Sequence, residues 1–105
     1  MAAFYYDTDK KLVEIFTEHC NLSREQYEWI RREFIYLVAD IQDEELQDEV
    51  EQRMEKMGNV FDFLLRTDCL TPKEHFNLSQ MTFEVWERHL KEFKREETES
   101  GVALE

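Results

Sequence analysis

The residues best suited to ligate a metal or attack a substrate are three histidines, His19, His75 and His89, and two cysteines, Cys20 and Cys69. A zinc site read from sequence needs ligands that converge from one turn or one helix face, as in CxxC or two histidines four apart. Neither spacing occurs here. Glu18-His19 and Glu74-His75 are adjacent pairs, and neighbours on a helix point roughly 100° apart, so neither pair chelates one ion. The Glu-x-x-His pairing of di-iron bundles is also missing. Any Cys–His or Ser–His couple would have to be completed by folding, with no local motif behind it. His19 and His75 read instead as residues near helix ends, where an imidazole helps satisfy the last carbonyls. The expectation is no catalytic residue, no metal, no cofactor and no enzyme.

Carboxylates carry more signal. Residues 40–57 hold eight acids against Arg53 and Lys56, a net of −6 and half of the formal charge of −12. Glu44, Asp48, Glu51 and Glu55 recur at helical spacing and share one line. Glu44–Asp48, Glu45–Glu49 and Glu51–Glu55 are like-charge pairs four apart, each costing about 0.2–0.5 kcal/mol, and Glu49–Arg53 is the one offsetting pair at that spacing. Such a row suits docking on a basic protein surface; its plain alternative is a solvated face that maintains solubility. Trp29 and Tyr36 form a second candidate. They lie seven apart on one line of a helix and outside its main apolar stripe, so they suit a partner or a second copy unless Phe4-Tyr5-Tyr6 covers them.

Charge also bounds the partner. With 25 acids against 13 bases, direct binding to nucleic acid or anionic lipid is disfavoured, because both need a basic surface. Residues 17–30 have the rhythm of a helix-turn-helix, with Arg24, Arg31 and Arg32 nearby, but Glu25, Glu28 and Glu33 oppose them and an ordinary helical hairpin explains the pattern. Two isolated thiols indicate a reducing compartment. The first residues show no basic-then-apolar leader, and the longest apolar run, residues 34–39, is far short of a membrane span. The cytoplasm is the expected location.

The elements that must position these residues are helices. Only two glycines and one proline occur in 105 residues, too few for the turns of a β-rich fold. A first helix is expected from Asp7 or Thr8 to about His19, with Leu12, Val13, Phe16 and Cys20 inward. Ser23 with Gln26 forms a capping box opening a helix over 24–40, whose stripe is Tyr27, Ile30, Phe34, Leu37, Val38 and Ile41. Asp43 caps a third helix that reaches Arg66, its apolar phase running unbroken through Gly58. Thr71-Pro72-Lys73-Glu74 is the sharpest helix start; a short helix there ends near Asn77, and Ser79 begins a last helix burying Phe83, Trp86, Leu90 and Phe93. Residues 18–32 echo 74–88, which reads as two helix–turn–helix joints capped alike.

The predicted architecture is all-α: a compact antiparallel helical bundle of four main helices, with room for a short fifth. Residues 1–99 form one domain and residues 100–105 a disordered tail that can include a tag remnant. The function expected is a non-enzymatic protein-interaction or regulatory module, able to form a homodimer, with a protein partner of basic surface or itself. The alternative is an acidic inhibitor (an immunity protein, antitoxin or nucleic-acid mimic) that occupies a basic surface of its target.

Overall fold

Three of the four α-helices, α1, α2 and α4, begin where a side chain takes over unsatisfied N–H groups of the first turn, while α3 continues from a capped 3₁₀ turn without a side-chain cap of its own. The computed structural model describes residues 5–16 and 21–104, and the side chains of these apart from Glu44 and residues 89–104. Asp7 accepts from the Lys10 amide at 3.1 Å and opens α1, Thr8–Ile15. Ser23 and Gln26 exchange both bonds of a capping box, 3.1 and 2.8 Å, at the start of α2, Arg24–Asp40. Asp43 accepts from the Glu45 amide at 3.0 Å and caps a single 3₁₀ turn, Glu44–Leu46, which leads into α3, Gln47–Arg66. Thr71 and Glu74 make the second capping box, 2.8 and 3.1 Å, around Pro72 at the head of α4, Pro72–Leu104.

The chain is all-α, and its helices pack in a ring: α1 against α2, α2 against α3, α3 against α4, and α4 back on α1. Short turns between neighbours make them antiparallel. The core between them holds Leu12 of α1, Ile30, Phe34 and Leu37 of α2, Val50, Met57, Phe61 and Leu64 of α3, and Leu78, Met81 and Val85 of α4. At its centre Phe34 and Phe61 stack, ring centroids 6.1 Å apart. No helix among the described residues is long and apolar enough to cross a membrane.

Several sequence expectations are corrected. α1 ends at Ile15, with Phe16 closing it onto the Leu12 carbonyl; the expected extension to His19, and Cys20, lie outside the described residues. Val13 is 63% exposed, because a two-turn helix on the bundle edge buries a narrow face centred on Thr8 and Leu12. The break at Asn77–Ser79 is absent: Leu78, Met81 and Val85 continue one buried stripe through it, and Pro72–Leu104 is a single helix. The echo between 18–32 and 74–88 is therefore not a repeated joint. Its first copy begins outside the described residues and runs through Ser23, the cap of α2, while its second lies inside α4.

The same stripe corrects the inward face of α4. Phe83 is 61% exposed and Trp86 is half-buried at the core's margin, while Leu90 and Phe93 fall among the side chains not described. His75 belongs to the first turn of α4, not to a helix C-terminus, and its Nε2 meets Asp62 Oδ1 of α3 at 2.7 Å. Tyr6 does not cover Trp29 or Tyr36. Its ring is buried, its hydroxyl donates to Glu84 Oε2 at 3.1 Å, and the Arg88 guanidinium stands 5.8 Å from its centroid, so it fastens the N-terminal segment to α4. Tyr5 is exposed, and Phe4 lies outside the described residues.

Two details tie the helix ends. Asp68 takes a left-handed φ of 60°, which lets the amides of Cys69 and Leu70 return to the Leu64 carbonyl at 2.8 and 3.1 Å and close α3. Asn21 Nδ2 donates to the Asp68 carbonyl at 3.4 Å, joining the turn before α2 to the turn before α4.

Two measurements check this packing. A Cβ built on Gly58 meets nothing within 4 Å inside the unbroken α3. Gly58→Ala is therefore expected to raise the unfolding free energy by about 0.5–1 kcal/mol in denaturant titration; a loss would mean that α3 breaks there. The Tyr6 phenol is pushed well above the usual tyrosine range, first by burial and then by the Glu84 carboxylate. A raised folded value means stability is intact below about pH 10 and falls as pH climbs past it, since the unfolded chain ionises first. Tyr6→Phe should flatten that alkaline loss.

Candidate functional site

Trp29 and Tyr36 stand along the seam between α2 and α3, and both are capped by cations from α3. Lys56 Nζ sits 5.6 Å from the Trp29 ring centroid, and the Arg53 guanidinium 5.3 Å from that of Tyr36. Trp29 is half-buried and Tyr36 is 50% exposed. The two cations are held by carboxylates of α2: Arg53 pairs with Glu33 through Nη1 and with Asp40 through Nη2 at 3.2 Å, while Lys56 stands 3.8 Å from Glu33. Glu33 is buried among them, whereas Arg53 Nε is buried without a partner. The expected Glu49–Arg53 pair is not made. Arg53 turns across the seam, because a buried carboxylate needs a cation more than the exposed Glu49 does.

The predicted acidic row divides. Glu44 belongs to the 3₁₀ turn ahead of α3, and its side chain is not among those described. Asp48, Glu51 and Glu55 lie on the outer face of α3, all exposed, and among the described residues they form no ion pair. By contrast Asp9, Glu33, Asp40 and Asp62 are each paired within the chain. Asp9 shows what pairing does: its hydrogen bond to Arg31, 2.7 Å from Nε, holds its carboxyl below the usual range. Of the row, Glu55 reaches an open, mostly apolar surface whose other rim is Trp29. Val60, Lys56 and the exposed Phe63 form its floor; a groove of about 400 Å³ runs beside Trp29, and Glu55 borders the adjoining hollow.

One exposed apolar feature differs from the sequence expectation. Phe76 and Phe83 lie seven apart on the outer face of α4, 59% and 61% exposed. Their spacing is visible in the sequence, but the aromatic stripe Phe83–Trp86 reads there as core and Phe76 falls in the expected short helix. No group of three or more His, Cys, Asp or Glu side chains able to hold a metal ion is found among the described residues. What the arrangement offers chemically is carboxylates and apolar rings on open surfaces, suited to contact with another macromolecule.

Comparison with known proteins finds no match: no family model, no curated protein and no solved structure is similar to this chain.

The seam has a measurable signature. Arg53→Met leaves Glu33 buried with only Lys56 nearby, and is expected to cost about 1–3 kcal/mol of stability. Replacing Glu33 and Arg53 together by leucine should recover most of that loss. Equal destabilisation by the single and double changes would show that the pair does not act as a unit.

Proposed function

We propose that this chain is a non-enzymatic protein-interaction module that docks a partner of basic surface on the outer face of α3. One observation carries the reading. Asp48, Glu51 and Glu55 are exposed on one line of α3 with no ion pair among the described residues, whereas Glu33, Asp40 and Asp62, which border neighbouring helices, are matched with cations. Like charges four apart weaken an isolated helix, so α3 carries Glu51 and Glu55 at a small cost that its own packing does not recover. A partner presenting Lys or Arg turns that repulsion into attraction and is steered to the face over a Debye length of about 10 Å.

The apolar surface beside the row supports a contact with a protein more than with a purely ionic polymer. Phe63 and the margin of Trp29 offer area that can be desolvated, and the salt-dependent row sets orientation. An acidic inhibitor of a nucleic-acid-binding protein would use the same carboxylates and is a special case of the same docking.

The test is capture of partners from a native lysate by the full chain at low and at high salt, beside the variant Asp48→Lys/Glu51→Lys/Glu55→Lys. The wild type is expected to retain a stoichiometric partner at low salt and release it at high salt. The variant should keep its helicity and unfolding midpoint and lose that partner. A partner held equally by both proteins, or none held by the wild type, would sink the reading.

A further inference from the structure

The groove between α2 and α3 is apolar inside and acidic on both sides. Trp29 of α2 lines it together with Val60, Phe63 and Leu64 of α3, and the Glu25 side chain of α2 stands at its edge. Lys56, Val60 and Phe63 also border the adjoining hollow, which Glu55 lines from the outer side of α3. Glu25 and Glu55 are both exposed, and neither forms an ion pair among the described residues. Glu25 lies outside the α3 row, so the acidic field reaches across the groove to a second helix.

The one cation in the groove is already engaged. Lys56 Nζ stands 5.6 Å from the Trp29 centroid and 3.8 Å from the buried Glu33, so it braces the indole and leaves Glu25 and Glu55 unmatched. Arg24 and Arg32 share a hollow on α2 with Glu28, and neither lines the groove. An aromatic wall held in place by its own chain needs no further ordering when a partner arrives, which keeps the cost of binding low. Phe63 at the lip is 56% exposed and has area left to bury. The volume of about 400 Å³ lies near the lower end of the roughly 300–1,000 Å³ of concave binding sites, a size that suits one large side chain.

We infer that this groove receives a single large apolar side chain of the partner, presented between Lys or Arg residues that meet Glu25 and Glu55. The anchor buries the edge of Trp29 and the ring of Phe63. The flanking cations match the two free carboxylates, which an uncharged segment would leave partly desolvated and uncompensated. A second copy of this chain would bring the same carboxylates and a net charge of −12 against its like. This rests on the docking reading above and adds to it the partner's apolar anchor, the seat of that anchor, and Glu25 as a contact on α2.

The experiment uses the full chain and a labelled synthetic peptide with one phenylalanine between lysines on both sides. One control peptide carries serine in place of the phenylalanine, and another carries glutamates in place of the lysines. Fluorescence anisotropy is read against wild type, Phe63→Ser, Glu25→Lys, Phe83→Ser and the triple lysine variant of α3. The first peptide is expected to bind wild type, and both controls to fail. Phe63→Ser, Glu25→Lys and the triple variant should each weaken binding about tenfold or more, with unfolding midpoints close to wild type because these side chains are exposed. Phe83→Ser, on the outer face of α4, should bind like wild type.

Binding that the serine peptide matches, or that Phe63→Ser and Glu25→Lys leave intact while the triple variant abolishes it, overturns the inference and leaves the acidic docking face standing. Binding that needs Phe63 but ignores both Glu25→Lys and the triple variant overturns the docking reading and the inference together. Failure of the first peptide to bind wild type overturns the inference alone, since the lysate capture judges the docking reading separately. Sedimentation of the wild type as a dimer that Phe63→Ser dissolves would assign the groove to a second copy and also overturn the inference.

Discussion

Phe34 on Phe61 is the contact on which the rest of the molecule is oriented. Two stacked rings at the centre of a small bundle define how far α3 may rotate about its own axis. With Phe61 inward, helical spacing places Val50, Met57 and Leu64 on the same side, and all are buried. The opposite side must then face water, and that side carries Asp48, Glu51 and Glu55. Arg53 and Lys56 fall on the flank nearest α2, within reach of Glu33, Asp40, Tyr36 and Trp29. One aromatic pair thus sorts the charges of α3 into a neutralised seam and an open acidic face.

These two kinds of carboxylate do different work. Glu33 is removed from water and is tolerable only because two cations of α3 converge on it. That network gives the seam a definite register and holds the rims of Trp29 and Tyr36 beneath Lys56 and Arg53. The outer carboxylates are fully solvated, weaken the helix slightly and contribute nothing to packing. In a chain with net charge −12 they add to a repulsion that hydrophobic burial must overcome.

Helix starts were legible from the sequence because capping is local. Ser23 with Gln26, Thr71 with Pro72 and Glu74, Asp7 and Asp43 all act within three residues, so spacing alone identifies them. The continuity of α3 through Gly58 was legible for a related reason, since its apolar phase never slips. The core faces of α2 and α3 were also readable, because each helix has one dominant apolar stripe. α4 has two. Leu78, Met81 and Val85 compete with Phe76, Phe83 and Trp86, and a count of hydrophobic bulk favours the aromatic set. Only the positions of α1 and α3 around the helix select the other one.

What the sequence determined by itself is everything set by neighbours along the chain: the all-α class, the capped starts, the inward stripes of α2 and α3, and the acidic line on α3. What the tertiary structure decided is which residues meet across helices. Arg53 left Glu49 for Glu33 and Asp40, His75 met Asp62 from a helix start, Tyr6 went to Glu84, and Phe83 faced outward. The physical reason is common to all four. Helical periodicity specifies an angle around one axis, but a contact between helices also depends on the rotation and register of the second axis, and the core alone sets those.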